Sequence, residues 1–243
     1  NIISKSIQKG FLIETKEVEN EHNKKEDNRE LILEHKKIPY ISYPYEWSFS
    51  QLKDAAIFHL DFHLFLLAND ATLIDASAYN IQFIGSELKF IDVLSIKKYT
   101  EGEYWAGHKQ FCENFLNPLI LKSKKGIKFN NWFKGNLEGI ETNELNNLLS
   151  IFDKLSYNIF VHVHLLNKLE EKYRSRKSLK PIAKNNKKIS KKSLMAILSQ
   201  LRKFITGLQD YKSTSTWDDY STNNSYSNED KNKKKDCVSQ FCK

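Results

Sequence analysis

Three residues carry the clearest chemical possibility in this sequence: Asp75, Asn80 and Asp92. In Thr72-Leu-Ile-Asp75-Ala-Ser77-Ala-Tyr79-Asn80-Ile-Gln-Phe83 an Asp closes a loop and an Asn follows five residues later. Lys89-Phe-Ile-Asp92 then sets a second Asp at the end of an apolar run. Phosphoryl transfer uses this order for physical reasons. A first carboxylate orients an attacking hydroxyl or accepts its proton, while an Asn amide oxygen and a second carboxylate are hard ligands for the Mg²⁺ that bridges the phosphates. On this reading Asp75 is the catalytic group, and Asn80 and Asp92 hold Mg²⁺ and, through it, ATP. The plainer alternative is an Asp–Asn loop that only caps and turns the backbone. Several departures weigh on the first reading. Leu73 stands where an H-R-D type of loop carries His, and Val93-Leu94 replaces the Phe-Gly that commonly follows the metal-binding Asp. Residues 1–47 offer no assignable third-strand lysine or partner Glu, and no two of the eight Gly form a G-x-G.

The elements that must position these groups can be read on either side of them. Ser48 with Gln51 three residues later makes a capping box, and Trp47 against Leu52 a hydrophobic staple, so a helix starts there. Leu52–Leu67 is apolar on nearly all sides, which predicts deep burial. Two β-like pieces, Asn80–Phe83 and Leu88–Ile91, joined by Ile84-Gly85-Ser86-Glu87, predict a hairpin. That hairpin folds Asp92 back beside Asp75 across the 17 positions between them.

The remaining segments are read more coarsely. Residues 1–37 suit one or two helical turns and a couple of small strands, with a charged patch around Lys24–Glu30. Residues 38–47, with two Pro and four aromatics, suit an extended strand and hinge. From about Tyr104 the chain reads as mainly helical. Leu145, Leu148, Leu149, Phe152, Leu155, Ile159, Val163 and Leu166 keep one helical face. Leu194, Ile197, Leu198, Leu201, Phe204/Ile205 and Leu208 mark another, and residues 212–236 read as a loop or linker. The fold class expected is α+β, mostly α.

Other side chains could do chemistry but have a simpler reading. His59 and His63 lie four apart on the buried helix with Asp61 between them, a metal-compatible spacing that lacks a third ligand in sequence and so favours core histidines. His162 and His164, two apart in a helical stretch, point to different faces and do not share an ion. Ser77 and Cys112 have no base at motif spacing, so Ser77 reads as a loop hydrogen-bonder and Cys112 as packing. Trp105, Phe111, Phe115 and Leu119 recur at helical spacing, as core residues do, and Gly135/Gly139 do not lie in an apolar membrane segment.

Composition excludes broad classes. The 243 residues suffice for a large domain, and 40% hydrophobic with 28% charged residues is too apolar for a fully disordered chain. No apolar run approaches the roughly 18 residues of a membrane span. Three Cys, unsuited by number and spacing to a disulfide framework, favour a reducing cytoplasm. Position 1 is Asn with no charged-then-apolar leader after it, so the sequence reads as a processed or partial chain. The net charge of +8 is uneven: residues 172–203 hold twelve basic and no acidic groups, leaving a body of net −4. That basic run could meet nucleic-acid phosphates, but it lacks interleaved aromatics and reads first as a solvated connector.

The blocks Tyr43-Pro-Tyr-Glu-Trp-Ser-Phe-Ser-Gln-Leu-Lys-Asp-Ala-Ala56, Leu73 to Phe83, Phe90-Ile-Asp-Val-Leu-Ser95 and Trp105 through Leu119 resemble a bacterial family of class I SAM-dependent methyltransferases, some of them nodulation host-specificity proteins. Members of that family are two-part chains, with a kinase-like N-terminal region before a Rossmann-type methyltransferase half. Thr216-Trp217-Asp-Asp-Tyr220 and Ser225-Tyr226-Ser227 resemble the run-up to that second half. The resemblance implies a protein-kinase-like large lobe with a reduced small lobe. Residues 1–47 would be the small-lobe-like segment and hinge, and 48–171 the helical lobe with its catalytic-loop-like hairpin. Residues 172–192 would be the basic connector, 193–211 an amphipathic helix packing on the lobe, and 212–243 a linker. The methyltransferase half and its SAM site would begin just beyond Lys243. The resemblance supports the positions of Asp75, Asn80 and Asp92 and not their turnover; on the phosphotransfer reading the expected acceptor is a sugar or another small hydroxyl compound. The alternatives are a non-catalytic scaffold presenting a substrate or partner to the methyltransferase half and, less favoured, a nucleic-acid-binding module built on 172–203.

Overall fold

The computed structural model describes residues 1–18, 32–165, 189–211, 220 and 224–241. These divide into two units, Asn1–Tyr211 and Lys212–Lys243. The first unit is mixed α and β with helix predominating, as its sequence implies. The charged patch Lys24–Glu30, the basic positions 172–188 and the Thr216–Asp219 part of the run-up block lie outside the described residues.

The first unit begins with α1 (Ile2–Gln8), which Asn1 caps by accepting the Ile3 amide at 3.0 Å. Past a left-handed Gly10 (φ +78), the chain zips onto the later hairpin: Phe90 N donates to Phe11 O at 2.8 Å, and Ile13 N to Phe90 O at 3.0 Å. β1 (Thr15–Val18) and β2 (Ile32–His35) then pair antiparallel, Thr15 opposite His35 and Val18 opposite Ile32. The segment expected as strand and hinge forms no strand in its described course. Instead Pro44–Glu46 is a single 3₁₀ turn, held by Tyr43 N donating to the Glu46 carboxylate at 2.9 Å. Ser42 anchors this segment, exchanging both main-chain hydrogen bonds with the Gln82 amide (3.0 and 3.1 Å) and accepting Trp47 Nε1–H at 3.0 Å. Two prolines close together deny the ladder its donors, so side chains replace it.

α2 (Phe49–Ala68) opens with the expected box: Ser48 Oγ accepts Gln51 N at 3.2 Å, and Gln51 Oε1 accepts Ser48 N at 2.9 Å. Leu52, Ala55, Ala56, Leu60, Phe62, Leu66 and Leu67 are fully buried on one broad face of the helix, while Ile57, Phe58, Leu64 and Phe65 on the other side are only half-buried. β3 (Ala71–Leu73) follows after Asp70 turns the chain at φ +58. β4 (Ile81–Ile84) and β5 (Glu87–Phe90) form the expected hairpin around Gly85-Ser86, with Gly85 at φ +63, the sign a two-residue turn requires. β6 (Ile96–Lys98) returns to pair antiparallel with β3, Leu73 opposite Ile96.

The second half is helical. α3 (His108–Phe111), a π-helical stretch Cys112–Leu116 and α4 (Asn117–Lys125) run on from one another, ending at left-handed Gly126. Phe111, Phe115, Leu116, Leu119 and Ile120 are fully buried there, and Trp105 nearly so, as core residues. Shorter helices follow: α5 (Asn130–Gly135), α6 (Thr142–Leu148), α7 (Ile151–Lys154), α8 (Tyr157–Ile159) and a second π-helical stretch, Phe160–Leu165. The single helical face expected over Leu145–Leu166 is therefore broken. Ser150 caps a new helix, accepting Asp153 N at 3.2 Å, and the chain turns again at Ser156. Leu145, Leu149, Ile159 and Val163 stay buried, but Phe152 (84% exposed) and Leu155 (75%) face solvent. Hydrophobic periodicity could not register those two breaks, of which only the first is capped by its serine side chain.

α9 (Lys191–Gly207) lies along α2 and buries Leu194, Leu198, Leu201 and Ile205, each contributing about 1.5–3 kcal/mol of transfer free energy. Its rims are pinned by charge: Lys191 Nζ meets Asp70 at 2.6 Å, and Arg202 grips Asp61 through two nitrogens. Two cations of the basic segment thus serve to dock this helix. In the second unit α10 (Asn228–Phe241) occupies part of the stretch expected as linker, and Ser227 caps it by accepting Asp230 N at 3.1 Å. All of its described residues are exposed.

Candidate functional site

Asp75, Asn80 and Asp92 sit at one junction of the backbone. Ile74 N donates to Ser95 O at 2.9 Å, which continues the β3–β6 pairing and brings the chain at Asp75 beside the turn that Asp92 opens. Ile91 N donates to Asn80 O at 2.9 Å, which sets Asn80 beside the residue preceding Asp92. The hairpin between them closes the loop, so residues far apart in sequence emerge side by side. All three are half-buried.

The loop is held from beneath by α3 and the π stretch that follows it. Gln110 Oε1 accepts Ala76 N at 2.8 Å, and Asn114 Oδ1 accepts Ala78 N at 3.1 Å while its amide donates to Glu138 O at 2.9 Å. Buried main-chain donors in a loop must find such partners, and side chains on one rigid helix supply them. Within the loop, Asp75 Oδ1 accepts Ser77 N at 2.7 Å, and Ser77 Oγ accepts Tyr79 N at 3.2 Å, the loop-bonding role expected of Ser77.

Asp92 works locally as well. Its Oδ1 accepts Leu94 N at 3.0 Å, and its Oδ2 accepts the Ser95 hydroxyl, capping the 3₁₀ turn Val93–Ser95. Asn80 is the opposite case: its buried Nδ2 has no hydrogen-bond partner. The donor set fits a hard divalent cation in kind, since carboxylate oxygens keep lone pairs beyond those used in capping and an Asn carbonyl oxygen is a common ligand. Among the described residues no comparable provision for phosphates surrounds it. Lys89 of β5 is committed to Gly10 O at 2.9 Å and to Glu87 at 3.0 Å. A small cavity with room for about one water lies elsewhere, lined by Thr72, Lys97, Tyr99, Glu103, Trp105 and Leu194.

Beneath the Asp75 loop two histidines are fully buried. His59 lies among Phe90, Trp105, Phe111 and Phe115, with ring centroids 5.4–6.1 Å away. Burial pushes its pKa down to about 4, opposed only weakly by the main chain of Asp75, and neither ring nitrogen makes a hydrogen bond of normal geometry. His63 Nε2 lies 2.8 Å from Thr72 Oγ1, and burial holds its pKa well below the usual imidazole value. Asp61, between them in sequence, turns to Arg202 instead, so the three do not converge.

A different cluster does converge. His108 Nε2 lies 3.1 Å from His162 Nδ1 and 3.9 Å from Cys112 Sγ, and the three ligand atoms all fall within 4.8 Å of one another. Burial lowers the pKa of both imidazoles, that of His162 to about 4, with His108 beside it as a smaller cause. His164 points away, its Nδ1 3.1 Å from Asn146 Oδ1, as the two-residue spacing required. Cys112 is fully buried in the apolar core, as its packing reading expects, and it also stands in this group. The His108–Cys112 spacing of four on a helix was a visible signal, whereas His162, 50 residues on, was not.

Over 211 residues the chain is 42% identical to nodulation protein NoeA of Rhizobium meliloti (strain 1021), a match covering 86% of this chain and 44% of that protein. The chain therefore spans less than half the length of this curated relative. No family model matches the sequence. No solved structure matches it either.

Proposed function

We propose that the chain is a kinase-like lobe within a longer nodulation-type protein, and that its Asp75–Asn80–Asp92 junction binds Mg²⁺ and nucleotide. The observation that carries this reading is the backbone order at the junction: a buried helix, a short strand, the Asp–Asn loop, a hairpin, and a second Asp capping the turn that leads into the strand paired with the first. Asn80 and Asp92 would hold the ion, which when bound would offset phosphate charge. Asp75 would orient the hydroxyl of a small acceptor, for which a sugar is a suitable class. Its fixed hydrogen bond from Ser77 N restrains the carboxylate for that role.

The similarity to a nodulation protein more than twice as long as the matched stretch supports a multi-part parent. A SAM-dependent methyltransferase half in that parent is part of the same proposal, with SAM bound there and not by these residues. A second reading is favoured by Asp92, whose two oxygens already cap the following turn, and by the absence of a phosphate cradle among the described residues. On that reading the lobe is a non-catalytic scaffold that presents a substrate or partner to the methyltransferase half. Nucleic-acid binding through 172–203 is disfavoured, because Lys191 and Arg202 are already paired with Asp70 and Asp61.

Titration calorimetry with Mg-ATP separates the first two readings. The metal-site assignment expects saturable binding that needs Mg²⁺ and falls at least tenfold in Asp92→Asn, about 1.4 kcal/mol or more. Absence of binding, or binding unchanged in the variant, leaves the scaffold.

A further inference from the structure

We propose that His108, Cys112 and His162 form a binding site for a thiophilic divalent transition metal, zinc foremost. This site is separate from the Asp75 junction and does not depend on how that junction is used.

The geometry comes close to what the ion demands. Tetrahedral zinc, with Zn–N near 2.0–2.1 Å and Zn–S near 2.3 Å, sets neighbouring nitrogens about 3.3 Å apart and nitrogen and sulfur about 3.6 Å apart. The His108–His162 edge is 3.1 Å and the His108–Cys112 edge 3.9 Å. The third edge is no longer than 4.8 Å, a gap that small side-chain rotations close. The donor set is two imidazoles and one thiol, which selects zinc or its soft neighbours over Mg²⁺ or Ca²⁺.

The surroundings agree with the chemistry. Cys112 and His162 are buried and His108 is half-exposed, so an ion could enter past one ligand and be shielded by the other two. Cys112 belongs to no disulfide. Cys112 opens one π-helical stretch, and His162 lies within the other. Such widened turns recur where a helix re-aims a functional side chain. On binding, the Cys112 thiol loses its proton to solvent and the thiolate becomes the third ligand, leaving a fourth position for water.

The consequence is a brace. His108 and Cys112 flank Gln110 on the helical segment that, through Gln110 and Asn114, holds the Asp75–Asn80 loop, and His162 belongs to a segment about fifty residues later. A metal here ties the two segments together.

Cobalt is the probe. The chain is stripped with a chelator, titrated with Co²⁺, then challenged with Zn²⁺. The expected result is one equivalent bound, with a near-ultraviolet thiolate-to-cobalt band and the visible bands of a tetrahedral ion, all displaced by one equivalent of Zn²⁺. Cys112→Ala should abolish the thiolate band, and His162→Gln should weaken binding at least tenfold. Exposed Cys237→Ser and His35→Gln should change neither. If the unsubstituted chain shows no thiolate band, or if the band survives Cys112→Ala, the site is refuted and the cluster is a buried hydrogen-bonded packing group. Should Cys112→Ala fail to fold, alkylation of Cys112 in the unsubstituted chain decides: one equivalent of Zn²⁺ slows it if the site is real, and an unchanged rate overturns it.

Discussion

Replacing His59 with Leu tests whether the buried imidazole beneath the Asp75 loop is as isolated from water as the packing implies. The ring is fully buried against Phe90, Trp105, Phe111 and Phe115, and its pKa falls from 6.5 to about 4 because of that burial. In the unfolded chain His59 takes up a proton near pH 6.5, whereas in the folded chain it does so only near pH 4. Between those values the unfolded state binds more protons, so stability is fully present above pH 6.5 and is lost as pH falls toward 4. Integrated over the whole window the loss is about 3 kcal/mol, and between pH 7 and pH 5 about 2 kcal/mol. His63, His108 and His162 are depressed in the same direction and add to the total. His59→Leu keeps the apolar volume and removes only its own share. Urea unfolding at pH 7 and pH 5 should therefore show the wild-type chain losing about 2 kcal/mol more than the variant over that interval. Equal losses in the two proteins would refute the reasoning, because His59 would then titrate alike in the folded and unfolded chains.

Two further substitutions probe packing. Gly139 is left-handed (φ +89), and a Cβ there would run into the Glu113 carbonyl that accepts Ile140 N at 3.0 Å, so Gly139→Ala should cost about 2–4 kcal/mol in urea unfolding. On α9, Leu198→Ala should cost about 2–5 kcal/mol because Leu198 is fully buried, whereas Ile197→Ala, at a position 38% exposed, should cost under about 1 kcal/mol by the same measurement.

Much of the scaffold was legible because its signals are local. The Ser48–Gln51 box starts α2 where expected, and Gly85-Ser86 turns the hairpin within a residue or so of the anticipated strands. The apolar face of α9 is buried largely as its spacing implies, with Ile197 the partial exception. The expected positions of Asp75, Asn80 and Asp92 on loop, turn and hairpin end were legible for the same reason. What those side chains do was not, since a capping carboxylate and a metal-binding one share the same residue type. Asp92 and Ser95 three residues on were both in plain view, but only the folded turn joins them.

The sequence by itself determined where helices and turns begin, because capping, turn chemistry and hydrophobic period act over a few residues and are written in consecutive letters. Only the tertiary structure decided which polar groups meet. Arg202 and Lys191, read from sequence as part of a basic connector, find Asp61 and Asp70 across more than 100 residues and become docking contacts for α9. Phe152 and Leu155 leave an apparent apolar face because the helix breaks at Ser150, which caps the next helix, and again at Ser156. His162 reaches His108 and Cys112 although its sequence neighbour His164 points elsewhere. The physical reason is common to all of these. A local preference needs only its neighbours, whereas a long-range contact depends on the path of every residue between.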